Sequence, residues 1–187
     1  HLKQILAVAF ILLSIHLTAY SSSGIGYEVS YKQVDSLKYD VDFVVYRYCG
    51  GLKLNTNFTT PYVVCQTSGY KKSLTWKIVS IQEIQTECDS IGGRCNPSNT
   101  SFTGNGYERI VLRSTVDFKL SAYDSFYKAG CKSIRFEFDD CCRNTKITTG
   151  LANDKMYTYA ELNLAIDDGN SSPSFTSPPL IKACCNQ

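Results

Sequence analysis

The sequence predicts an all-β protein: an antiparallel sandwich stapled by disulfides and preceded by a signal-peptide helix. Three observations carry this. Segments of period-two apolar alternation recur along the chain, as in 37-LKYDVDFVVYRYC-49, and that period marks a strand with one buried face. Composition favours strands over helices, with 13 Tyr, 9 Phe and a single Met in 187 residues. All 9 cysteines follow a leader-like N-terminus, which suits an oxidising compartment, where disulfides persist.

The elements follow in chain order. Lys3, the apolar run Ile5 to Ile15 and the small-x-small triplet Ala19-Tyr20-Ser21 read as an export signal over 1–21, with the mature chain beginning near Ser22. A membrane anchor is the alternative, but Ser14 and His16 interrupt the run and leave it short for a span. A start at His1 suggests a clipped sequence. The body of the domain is expected over 22–167. Its first strand is 27-YEVSYKQV-34. In the second, Leu37, Tyr39, Val41, Phe43 and Val45 point one way and Lys38, Asp40 and Asp42 the other. Val44 and Tyr46 then make its second face apolar, which predicts a central strand covered on both sides.

Further strands are read at 60-TPYVVCQ-66, 73-SLTWKIVSI-81, 107-YERIVLRSTVDF-118, 132-KSIRFEFDD-140 and 156-MYTYAELNLAI-166. In 73–81, Leu74, Trp76 and Ile78 share a side. In 132–140, Ile134, Phe136 and Phe138 form one face. In 156–166, Met156, Ala160, Leu162, Leu164 and Ile166 form one face and Tyr157 and Tyr159 the other. A short helix fits only near 118-FKLSAYDSFYKAG-130. About seven short strands separated by turn signals describe an immunoglobulin-like sandwich. The segment 168–187 is richer in Pro and Ser, reading as an extended crossing or linker; its apolar restart and abrupt stop at a cysteine pair suggest that the chain continues.

The cysteines are Cys49, Cys65, Cys88, Cys95, Cys131, Cys141, Cys142, Cys184 and Cys185. The odd count leaves at least one without an internal partner. Adjacent cysteines on a strand point to opposite faces, so Cys141 and Cys142 are each expected to bond elsewhere. The pair Cys184-Cys185 is an attractive source of one partner, closing a loop of about forty residues worth roughly 3–4 kcal/mol in the chain-entropy model. A local bridge between Cys88 and Cys95 would pin the long Gly/Ser/Asn-rich loop 87–106. A zinc knuckle is the alternative there, but it calls for closer C-x2-C spacing and four ligands.

Several function classes recede. The formal net charge of +2 gives no concentrated basic surface for nucleic acid. The only histidines are His1 and His16, both before the expected cleavage site. Imidazole-based triads and Cys/His or His-based metal sites are therefore not expected in the mature domain. Thiol-exchange chemistry lacks its C-x-x-C motif.

Candidate sites remain. Asp139-Asp140 and Asp167-Asp168 are acidic pairs at strand ends; loop carboxylates of this kind can take calcium, though solvated turns are the plainer reading. Calcium is thus the one cofactor worth considering. Asp40, Asp42, Glu83 and Glu87 would have to supply any glycosidase pair, and nothing in the spacing brings two together. Trp76, the only tryptophan, reads as a core residue, with ligand stacking as the alternative; Tyr157 and Tyr159 are candidate ligand contacts. Arg47 and Arg143 beside cysteine corners read as clamps. Sequons stand at Asn57, Asn99 and Asn170, and mark exposed loops only in a eukaryotic source.

An ordered set of motifs then resembles a known family. The segments 24-GIGYEVSYK-32, 46-YRYCGG-51, the Cys88…Cys95 loop, 141-CCRN-144, 170-NSSPSF-175 and the closing Cys185-Asn186-Gln187 are similar to the N-terminal module of large Bacteroidetes surface proteins of the PKD-repeat, gliding-motility or adhesin-like type. The likeness runs from about residue 22 to 187. Tyr48 stands where that family usually has an acidic residue and Tyr27 where it has a glycine, and the run Cys184-Cys185-Asn186-Gln187 carries a cysteine where it more often has a residue such as valine. The resemblance implies a secreted or cell-surface module with downstream PKD-like and sorting domains as partners in the same chain. The expected function is structural or adhesive, without catalysis, and without a membrane span once the signal is cleaved. A surface glycan or protein is the expected outside partner. The rival expectation is a carbohydrate-binding or carbohydrate-acting module, and the loop 87–106 offers a third, as a protein contact.

Overall fold

The structure is a computed structural model that describes residues 24–48, 60–84, 106–140, 155–165 and 170–175. Among the described residues, eight strands form two four-stranded antiparallel sheets. They are β1 (Gly24–Asp35), β2 (Lys38–Tyr48), β3 (Tyr62–Cys65), β4 (Lys71–Ser73), β5 (Lys77–Ile84), β6 (Tyr107–Asp117), β7 (Ser133–Asp140) and β8 (Met156–Asn163). Sheet A has the order β1-β2-β6-β5 and sheet B the order β4-β3-β7-β8. A 3-10 turn (Ser121–Tyr123) and a one-turn helix α1 (Asp124–Lys128) link β6 to β7, where the sequence allows its short helix. Gly130 follows with φ +63°, and the Cys131 N–H bonds back to the Phe126 carbonyl, as at a left-handed helix C-cap.

The two sheets share one core. From sheet A, Tyr39, Val41, Phe43, Val45, Ile110 and Leu112 are buried, and from sheet B, Val63, Cys65, Ile134, Phe136, Phe138 and Leu162. Rings interlock across the gap: Tyr27 with Phe138 at 5.3 Å, Tyr31 with Phe136 at 5.6 Å and Phe43 with Phe138 at 6.0 Å between centroids. Tilted and edge-on pairs of this kind add stability beyond the area they bury. The alternation expected in β2, β7 and β8 is present: Ile134, Phe136 and Phe138 are buried, while Tyr157 and Tyr159 face out. Strand β2 is central, between β1 and β6, and Val44 and Tyr46 are buried on its second face with Val111. Leu37 sits in the β1–β2 turn at φ 53° and packs against the core.

The run 73–81 is not one strand. Leu74, Thr75 and Trp76 carry the chain from β4 in sheet B to β5 in sheet A. Leu74 is buried and Trp76 packs against the core, but Ile78 is 44% exposed. The apparent alternation joins two edge strands of different sheets.

One disulfide lies within the described residues, Cys65–Cys131. It ties the end of β3 to the approach to β7, its neighbour in sheet B. The segment Asn170–Ser172 laces sheet edge to sheet edge. Ser172 and Tyr31 exchange backbone and hydroxyl bonds: Ser172 N–H to the Tyr31 carbonyl (3.0 Å) and Tyr31 N–H to Ser172 Oγ (2.8 Å). Gln33 N–H donates to Ser171 Oγ, and the Asn170 side-chain amide donates to the carbonyl of Asn163, the last residue of β8. Tyr31 Oη donates to the Glu161 carbonyl. The Asn-Ser-Ser segment therefore satisfies backbone groups of β1 that an open sheet edge would leave to solvent.

The expected signal segment, Cys49, Cys88, Cys95, Cys141, Cys142, Cys184, Cys185, Arg143, Glu87, Ile166, the sequons at Asn57 and Asn99 and the loop 87–106 up to residue 105 lie outside the described residues.

Candidate functional site

The outer face of sheet B presents two exposed tyrosines, Tyr157 and Tyr159, among several charged side chains. Alternation decides which residues stand there. Burial of Val63 and Cys65 turns Tyr62 and Val64 outward on β3. Burial of Ile134, Phe136 and Phe138 turns Arg135, Glu137 and Asp139 outward on β7. Pairing then sets the rows: Tyr62 lies opposite Glu137 and Glu137 opposite Tyr159, so the carboxylate is flanked by two tyrosines. Arg135 lies opposite Glu161, and Asp139 opposite Tyr157.

Cations hold the rings. Lys71 Nζ sits 3.8 Å from the Tyr62 ring centroid and 3.6 Å from Glu137 Oε2. The Arg135 guanidinium lies 4.5 Å over the Tyr159 ring, and its Nε donates to Glu161 Oε1 at 2.8 Å. The bond to Glu161 holds the Arg135 proton more tightly than usual. Tyr157 and Tyr159 are 51% and 46% exposed with ring centroids 5.7 Å apart. Partial burial, then the hydrogen bond to Glu137 and its charge, push the Tyr157 phenol up to about 12. It is therefore a neutral hydroxyl across the ordinary pH range. These contacts hold two half-exposed rings in place and leave them little rotamer freedom.

The other sequence candidates distribute elsewhere. Asp139 and Asp140 point to opposite faces of β7: Asp139 pairs with Lys155 at 3.6 Å, while Asp140 accepts the Tyr27 hydroxyl at 2.6 Å. Asp167 and Asp168 lie outside the described residues. Among the described residues no cluster of three or more Asp, Glu, Cys or His is placed to hold a metal ion. Trp76 belongs to the crossing between sheets and packs on the core. Asp42 is held by both Nε (2.6 Å) and Nη2 (2.8 Å) of Arg113, and Asp40 accepts Thr115 Oγ1. Arg47, expected as a clamp, pairs with Glu108 through Nε at 2.6 Å, both side chains nearly buried.

Tyr157 and Tyr159 are thus the candidate contacts from the sequence that the fold presents side by side on one exposed face. Tyr62, Lys71, Arg135, Glu137 and Glu161 escaped the sequence reading. The outward positions of Tyr62, Arg135 and Glu137 were legible in β3 and β7, but which strands neighbour one another was not. No helix among the described residues is long and apolar enough to cross a membrane. Comparison of the chain with known protein families, with curated proteins and with solved structures finds no match in any of the three.

Proposed function

We propose that this chain is an exported, non-catalytic surface module of immunoglobulin-like sandwich type, structural or adhesive, that meets its partner through the outer face of sheet B. The single observation behind the binding role is the pair of half-exposed tyrosines braced by Arg135, Glu137 and Glu161. Tyrosine and arginine are the residue types that carry contact surfaces, because they offer large area with few rotamers to freeze. The carboxylates on this face are engaged by cations, which suits positioning better than proton transfer.

The strand orders support the immunoglobulin-like reading. Relabelled A, B, C, C′, D, E, F and G, the eight strands give A-B-E-D and C′-C-F-G, the Greek-key order of such sandwiches. The bridge differs from the antibody pattern: Cys65–Cys131 ties neighbouring strands of one sheet instead of joining the two sheets. A disulfide is in keeping with export. The surface location and the downstream domains remain readings of the motif set.

Adhesion tests the function. Beads carrying the full chain are expected to be retained on surfaces coated with protein or polysaccharide extracts. The Tyr157→Ala/Tyr159→Ala double variant should lose most of that retention at unchanged melting temperature. Equal retention of both would remove the assigned face from the account.

A further inference from the structure

We infer that the outer face of sheet B takes a neutral, extended polysaccharide lying across strands β3, β7 and β8; this rests on the binding role proposed for that face and names its ligand class. Three features point there. First, the charge is balanced: Lys71, Arg135 and Lys155 stand against Glu137, Asp139 and Glu161, joined in pairs. A polyanion or polycation would meet as much repulsion as attraction, so electrostatics favours an uncharged partner.

Second, the aromatic groups are arranged in a line across the sheet. Tyr62 and Tyr159 occupy the same row on either side of Glu137. Two interstrand steps separate them by ~9.6 Å, the length of roughly one disaccharide. Tyr157 continues the platform beside Tyr159, 5.7 Å away. The C–H faces of pyranose rings are apolar and stack on aromatic rings, so a chain of sugars can place alternate units against the sides of Tyr62 and Tyr159 that Lys71 and Arg135 do not cover.

Third, the groups between the rings match hydroxyls. Glu161 and Lys71 have side chains 49% and 45% exposed beside the tyrosines, and the Tyr157 phenol stays protonated to about 12. Together they supply donors and acceptors at the edge of the platform, as neutral sugars require.

The experiment is affinity electrophoresis of the full chain in native gels containing soluble polysaccharides. The neutral probes are laminarin, xyloglucan, galactomannan and dextran; the charged ones are polygalacturonate and heparin. The inference expects retardation by at least one neutral probe. Tyr159→Ala and Tyr62→Ala should each raise the apparent Kd about tenfold, and Tyr159→Phe should keep the affinity because the ring survives. Melting curves of all variants separate lost binding from lost folding. Absence of retardation by every neutral probe, retardation by the charged probes alone, or retardation indifferent to Tyr62 and Tyr159 would overturn it. Retention on protein-coated surfaces that still depends on Tyr157 and Tyr159 would then leave the broader binding role standing.

Discussion

Ser172 shows how much one short side chain can hold. Its hydroxyl accepts the Tyr31 N–H at 2.8 Å and approaches the Tyr31 carbonyl at 3.3 Å, while its own N–H bonds that same carbonyl. The Ser172→Ala substitution keeps the last of these and leaves the part-buried Tyr31 N–H without its acceptor. A cost of about 1–2 kcal/mol is expected, read as a drop of roughly 2–8 °C in Tm. An unchanged Tm would mean that the lacing contributes nothing to stability. Arg47 and Glu108 illustrate the opposite economy. Both side chains are nearly buried, so each charge depends on the other, and removing one partner is more damaging than replacing both with apolar groups. The sequence showed Arg47 as a clamp beside a cysteine corner, but its partner is 61 residues away, a separation that no local pattern reveals.

At the scale of elements, alternation was a faithful guide wherever a strand had one neighbour sheet beneath it. β7 is the plain case, with Ile134, Phe136 and Phe138 under and Arg135 and Glu137 over. It misled at 73–81, because the crossing residues Leu74 and Trp76 keep an apolar rhythm while the backbone leaves one sheet for the other. The lacing of β1 by Asn170–Ser172 was invisible for a different reason: the bond from Tyr31 to Ser172 spans 141 residues. The Cys65–Cys131 bridge encloses a separation of 66 residues, and closing a loop of that length removes denatured-state entropy worth about 4 kcal/mol. The Cys65→Ala/Cys131→Ala variant should therefore lose roughly that much in urea unfolding, with the midpoint falling and the slope rising as the uncross-linked denatured chain exposes more surface. A loss under about 1 kcal/mol would show that the β3–β7 pairing holds without its staple.

For the whole molecule, the tyrosines that build the core and the outer face also set its response to alkali. Burial pushes the phenols of Tyr31, Tyr46 and Tyr123 up, and Tyr157 reaches about 12. Unfolded tyrosines ionise near 10. Above that pH the unfolded chain releases phenolic protons that the folded chain still holds, so unfolding is favoured. This stability is fully present below pH 10 and declines as pH rises toward 12. Melting temperature is expected to fall steadily from pH 10 to 11.5, and a flat profile over that interval would contradict the burial of these rings. The two-sheet architecture was legible in composition and period; the candidate surface was half legible, since Tyr157 and Tyr159 declared themselves and the residues bracing them did not.

The central claim is that the tyrosine face of sheet B makes the contact, and footprinting tests it most directly. The full chain, bound to a surface that retains it, is lightly iodinated and compared with the free chain by peptide mass spectrometry. Tyr157 and Tyr159 should be labelled readily when free and protected when bound, while Tyr70, exposed at the other end of sheet B beyond β3, stays equally reactive in both. Full labelling of Tyr157 and Tyr159 in the bound state would contradict the account.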